Sequence, residues 1–261
     1  MTKYLIPLGL ICWSYKHIKK IESKKHVMII ALASILLTLH WVLFYESIKV
    51  SSLSVAIIVI HTYPFITTCL EPLLLKKKIK YRHVVLSILI FIGVFILSFH
   101  SIGTGSVIHG IGLALVASSC FALRNILIKT LSDNYSAFWL MGMQTALSII
   151  VLLPFYSPKL LDASLHDVLL IVIAGLIITC LAHSLLVQSI TYLTPTIVGI
   201  AVSLQVVYAI IIGYVFFQES ITGFVLVGGL IVLLCSVFEN RYLLKSDHFL
   251  HSLLLFDEIE N

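Results

Sequence analysis

The chain alternates long apolar runs with short polar breaks. Runs of about twenty residues recur at 27–46, 53–75, 83–100, 107–130, 136–155, 167–189, 197–217 and 222–240, and a shorter one, Tyr4 to Trp13, precedes them. At 1.5 Å per residue, about twenty apolar residues cross a ~30 Å hydrocarbon core as a helix. The runs lack period-two alternation, which a strand in a membrane barrel would need. The pattern therefore predicts an all-α integral membrane protein with about nine transmembrane segments, eight full and one short.

The runs also repeat. An offset of 142 residues lays Ser47-Ile48 on Ser189-Ile190, and the segment end Lys76-Lys77-Lys78-Ile79 on Gln218-Glu219-Ser220-Ile221. Few side chains are identical, and what repeats is the spacing of apolar segments. The segment ends differ in charge, basic in one copy and neutral to acidic in the other. Two halves inserted in opposite directions carry this signature, because Lys and Arg are retained on the cytoplasmic side.

The basic residues fix the orientation. With the loop 15–26 inside and sides alternating from there, Lys16, Lys19, Lys20, Lys24, Lys25, Lys76, Lys77, Lys78, Lys80 and Arg82 all fall inside. Arg124, Lys129, Arg241 and Lys245 join them, which leaves only Lys3, Lys49 and Lys159 outside, of 17 Lys and Arg in all. The predicted organisation is a first repeat at 4–100, a linker at 101–106 containing Gly103 and Gly105, a second repeat at 107–241, and a cytoplasmic tail at 242–261. In that tail Phe249, Leu250 and Leu253 to Leu255 read either as a short interfacial helix or as a disordered end.

Shifted back by the repeat offset, the helix at 107–130 falls upstream of Met1. The first repeat is thus expected to lack its first helix, with residues 4–13 the tail of its second. A signal peptide is the competing reading of that run, but Trp13, Tyr15 and the basic loop after them supply no small-residue cleavage site.

Composition agrees with the pattern. Hydrophobic residues make up 60% of the chain and charged ones 11%, and the mean hydropathy is +1.10, well outside soluble usage. A net charge of +5 in a soluble protein would suggest nucleic acid. Here the basic residues lie in short loops, so membrane orientation accounts for them and no nucleic-acid partner is expected. The cysteines, Cys12, Cys69, Cys120, Cys180 and Cys235, sit singly in apolar segments. No CxxC or Cys/His spacing supports a disulfide framework or a metal site, and no cofactor is implied.

Short stretches then carry a family resemblance. Leu43-Phe44-Tyr45-Glu46-Ser47-Ile48-Lys49-Val50-Ser51-Ser52, continuing to Tyr63-Pro64-Phe65, resembles the helix–loop–helix stretch of EamA-type members of the drug/metabolite transporter superfamily. In the second half, Gln188-Ser189-Ile190-Thr191-Tyr192-Leu193-Thr194-Pro195 and the helix end Gln218-Glu219-Ser220-Ile221 resemble the same family. The resemblance covers about residues 27–240. It implies ten helices in two inverted five-helix halves, a small-molecule substrate held between the halves, a multi-pass protein of the cell (inner or plasma) membrane, and a homodimer as candidate assembly. The family's glutamate-containing helix end is replaced in the first half by Lys76-Lys77-Lys78.

Polar groups deep in the runs are the candidate chemistry, because a charged group at the bilayer centre costs ~2.5–3.5 kcal/mol on insertion scales. His40 and Trp41 lie in the run 27–46, His61 in 53–75, His183 and Gln188 in 167–189, and Gln205 and Tyr208 in 197–217. The resemblance places these four helices around the substrate cavity. Each also has a plainer reading: a membrane histidine or glutamine hydrogen-bonded to a neighbouring helix, or Trp41 as packing. Arg124, about two turns from the inner end of its helix, either snorkels to the headgroups or binds an anion at the cavity mouth. Glu71 is expected to pair with the lysines that follow it. Pro64, mid-membrane, frees a backbone carbonyl and permits bending. Gly110, Gly112, Gly228 and Gly229 are expected at close helix contacts.

The reading that follows is a secondary transporter, an exporter or exchanger, of a small polar metabolite, with an anionic or amino-acid-like substrate as the candidate. An intramembrane enzyme would need a nucleophile–base or metal constellation such as HExxH, and the nearest approach is Cys180 three residues before His183. A non-transporting membrane subunit or shortened fragment is the alternative, motivated by the absent first helix.

Overall fold

The computed structural model describes residues 21–51, 53–76, 78–99, 105–155, 164–175, 181–217 and 223–245. The run at 4–13 and the tail beyond residue 245 lie outside them, as does most of the expected linker. Among the described residues the chain is helical, with no strand. In order the helices are α1 (Lys24–Val50), α2 (Leu53–Ile60), α3 (Tyr63–Leu75), α4 (Tyr81–Phe99), α5 (Gly105–Lys129) and α6 (Ala137–Leu152). They continue as α7 (Leu165–Ala174), α8 (His183–Tyr192), α9 (Pro195–Val202), α10 (Gln205–Phe217) and α11 (Gly223–Lys245).

Four described spans are long and apolar enough to cross a membrane: Lys24–Val50, Val55–Leu75, Val107–Lys129 and Pro195–Ile212. Large apolar side chains along them, such as Met28, Leu39 and Ile108, stand exposed. In a soluble protein that surface would be a liability, whereas in a bilayer it faces acyl chains.

The chain divides into two compact units. One comprises residues up to Val42 together with Cys120–Thr194, and the other Leu43–Ser119 together with Pro195 onward. The first unit is centred on Ile30, Ala33, Ile128, Leu131, Trp139, Leu140 and Val187, where α1, α5, α6 and α8 meet. Its α8 is held at the C-terminal end by Lys129, whose Nζ donates to the carbonyls of Ile190 (2.8 Å) and Thr191 (2.7 Å). A cation is well placed there, on carbonyls that no further helical turn would satisfy. Ser136 caps α6, accepting from the Trp139 N–H.

In the second unit α4 packs along α11, with Leu86, Ile90, Val94, Val206 and Val232 in the core. Gly93 permits the approach, since a Cβ there would stand 3.0 Å from the Gly228 carbonyl oxygen. A side chain at Gly110 would meet Ser51 at 2.5 Å and one at Gly229 would meet Ile210 at 3.0 Å. Gly112 differs from expectation, with open space where its side chain would be. Near the ends of α4 and α11, Arg82 donates to the buried Glu239 carboxylate at 3.0 Å and lies 3.3 Å above the Tyr242 ring.

Two of the predicted continuous helices are broken. The run 53–75 is interrupted at His61-Thr62, and the run 197–217 at Ser203-Leu204. These breaks are 142 residues apart, the offset of the sequence repeat. The first has the cause expected of Pro64, which has no N–H to offer the Ile60 carbonyl four residues back and whose ring crowds it. Around it the backbone tightens into i→i+3 bonds, His61 to Ile58 and Thr62 to Val59. The second break has no proline. There the Ser203 hydroxyl donates to the Gly199 carbonyl at 2.9 Å, and Val206 and Val207 take i→i+3 partners. A hydroxyl back-bonded in this way competes with the helix ladder and bends it.

Candidate functional site

Each unit gathers its own set of polar side chains. In the second unit they cluster around the two breaks. Ser118 of α5 donates to the Ile60 carbonyl at 3.0 Å, the carbonyl that Pro64 leaves without a partner, and Thr62 bonds the same hydroxyl at 2.9 Å. In hydrocarbon such a group needs a protein partner, and Ser118 supplies it. The His61 ring bonds the Ile57 carbonyl at 2.7 Å through Nδ1. A carbonyl only accepts, so Nδ1 carries a proton. Gln205, at the start of α10, lies beside the His61 ring. His61 and Ser203 occupy equivalent repeat positions, and each bonds the carbonyl four residues before it.

The two broken helices meet at Gly199. Tyr63 donates to the Gly199 carbonyl at 3.4 Å, and a Cβ on Gly199 would stand 3.2 Å from the Tyr63 ring. Glu71 also joins them. It is 1% exposed, and its Oε2 accepts from the Thr196 N–H at 2.9 Å. Thr196 lies in the first turn of α9, where amide donors have no helical partner and a carboxylate complements the helix dipole. The expected pairing of Glu71 with lysine is therefore corrected: among the described residues its bond is to the N-terminus of α9.

In the first unit α1 contributes His40 and Trp41, α5 Phe121, Arg124 and Asn125, α6 Met141 and Gln144, and α8 His183. The rings form one cluster. His40 stacks on Phe121 at 4.6 Å, and His183 stands edge-on to Trp41 at 5.6 Å and to Phe121 at 5.9 Å. Arg124 is fully buried beside them. Its Nε donates to Gln144 Oε1 at 2.7 Å, Nη1 to Asn125 Oδ1 at 2.9 Å and Nη2 to the Met141 sulfur at 3.3 Å. The Gln144 amide is itself oriented, donating through Nε2 to the Leu140 carbonyl at 3.0 Å. The snorkelling alternative for Arg124 is corrected by these bonds, because the guanidinium is held by neighbouring helices.

Of the residues expected from the sequence, His40, Trp41, Arg124 and His183 come together in the first unit, and His61 and Gln205 in the second. Gln188 bonds Tyr192 on a more open surface, and Tyr208 is exposed. Sequence reasoning passed over Gln144, Ser118 and Tyr63. Gln144 was within reach, since the rule that singled out Gln205, a lone amide deep in an apolar run, applies to it equally.

Most of these groups bond to helix backbones and to one another, and Cys180, three residues before His183 in the sequence, lies outside the described residues. The family model of EamA-like transporters matches residues 3–99 and again 108–239, nearly the whole chain in two successive copies. The chain belongs to the EamA-like transporter family. Membership points to a membrane transporter with a small-molecule substrate, and to a transporter rather than an enzyme. The EamA-like chain is 27% identical over 219 residues to the uncharacterized transporter YxxF of Bacillus subtilis (strain 168), covering 82% of this chain and 68% of that one. It also shares its fold with a protein of known crystal structure, with a TM-score of 0.72 over 92% of this chain and 86% of the other at 11% identity.

Proposed function

We propose that this protein is a secondary transporter, an exporter or exchanger, that moves a small polar metabolite across the cell membrane by alternating access of two inverted repeats. The paired helix breaks carry the reading. Discontinuous helices at corresponding positions of two halves are the usual seat of substrate in inverted-repeat transporters. Here the breaks fall at His61-Thr62 and Ser203-Leu204, at the spacing of the repeat, with His61 and Gln205 beside them. The two successive matches to the family model support repeats near 4–100 and 107–241. The lysine distribution supports a cytoplasmic C-terminus. His40, Trp41, His61, Arg124, His183, Gln188, Gln205 and Tyr208 are the side chains proposed to meet substrate in one or another state of the cycle.

Flux in proteoliposomes tests this. Vesicles holding purified protein and loaded with unlabelled amino acids, hydroxy acids, nucleotides or sugar phosphates are expected to accumulate the matching labelled solute by counterflow. Accumulation no greater than in protein-free vesicles across all four classes would overturn the reading.

A further inference from the structure

Arg124 is a buried cation whose partners are all neutral. They are two amide oxygens and a thioether, and among the described residues no carboxylate pairs with it. A guanidinium has five N–H groups, of which three are engaged here. One N–H remains on each terminal nitrogen, and a guanidinium is the side chain best suited to a planar oxyanion. A cation left this way in a dry interior is costly unless a counter-charge arrives. A second observation points the same way. His183 is 9% exposed, its Nδ1 is buried with no hydrogen-bond partner, and its ring stands 5.9 Å from that of Phe121, one turn before Arg124 on α5.

We propose that Arg124 and His183 form an anion site within the first unit, and that it takes the carboxylate of a small monocarboxylate metabolite. This deepens the transporter reading and rests on it for the identity of the ligand as cargo. Bidentate geometry suits carboxylate and phosphate alike, so charge decides. Arg124 brings one permanent positive charge, which a carboxylate neutralises. A phosphate monoester brings about −1.5 to −2 at neutral pH and would leave up to about one charge uncompensated. His183 supplies one further polar contact, and the Trp41 ring edge-on to it offers an apolar wall for the body of the ligand.

Thermal unfolding of the full chain in detergent tests the site without requiring flux. The probes are lactate, benzoate and inorganic phosphate as sodium salts, against sodium chloride at equal ionic strength. Lactate or benzoate is expected to raise the midpoint saturably, with a Kd on the order of 1 mM, and phosphate to act no differently from chloride. Arg124→Lys, which keeps the charge but loses the fork, should weaken binding about tenfold or more, and His183→Gln should weaken it as well. Because Arg124 variants risk misfolding, Gln144→Glu is the decisive control. It places a carboxylate on the guanidinium, at the cost of the bond to the Leu140 carbonyl, and the response to lactate and benzoate should vanish.

No carboxylate response in the wild type, a response to phosphate alone, or a carboxylate response that survives Gln144→Glu would each overturn the proposal. The two readings fail separately. Carboxylate binding without counterflow of any solute would leave the site standing and sink the transporter. Counterflow of a solute indifferent to Arg124→Lys, without carboxylate binding, would do the reverse.

Discussion

The side chains that organise each unit are polar groups in an apolar setting, and their partners decide whether they are tolerated. Arg124 is held by Gln144, and Gln144 by the Leu140 carbonyl. Replacing Gln144 with Leu removes the acceptor and leaves a charged donor buried. A loss of about 3 kcal/mol is expected, read as a lower thermal midpoint with the helical circular dichroism spectrum preserved. An unchanged midpoint would mean that water or lipid reaches Arg124, contrary to its complete burial. The sequence pointed to some of these residues, because the expense of a polar group in hydrocarbon is visible from its position alone. His61, Arg124 and His183 were all found by that rule. Their partners were not, since pairing Arg124 with Gln144 or Glu71 with Thr196 depends on which helices become neighbours. Glu71 illustrates the limit: nearby lysines in sequence suggested an ion pair, while the fold offered the amide end of α9.

At the scale of helices, the two breaks differ in how legible they were. Pro64 announced the first, because a missing N–H and a crowding ring are properties of the residue itself. Nothing comparable marks the second, and an apolar run containing Gly199 and Ser203 reads as continuous. The repeat offset carried the information, since it maps His61-Thr62 onto Ser203-Leu204. The first break also makes a coupled prediction. Ser118→Ala should cost about 1–3 kcal/mol by leaving the Ile60 carbonyl unpaired. In a Pro64→Ala background residue 64 regains its N–H, and Ser118→Ala should cost much less. A double-mutant cycle on thermal or denaturant unfolding measures the difference. Equal costs in both backgrounds would mean that the Ser118 bond does not compensate for Pro64.

At the scale of the molecule, hydropathy made the helical membrane class legible, and the short motifs made the family so. The interleaving of the two compact units was not legible, because α1 and α5 each contribute to both and nothing in the sequence marks the changeover at Val42 or Ser119. The central claim is that the paired breaks belong to a pathway opening to each side of the membrane in turn. Accessibility tests it most directly, with Thr62→Cys and Leu204→Cys each placed in a background lacking Cys12, Cys69, Cys120, Cys180 and Cys235. A membrane-impermeant maleimide is applied to right-side-out and to inverted vesicles. Alternating access predicts slow labelling of both positions from both sides, with substrate shifting the two rates in opposite directions. Labelling from one side only, or from neither, at both positions would contradict it.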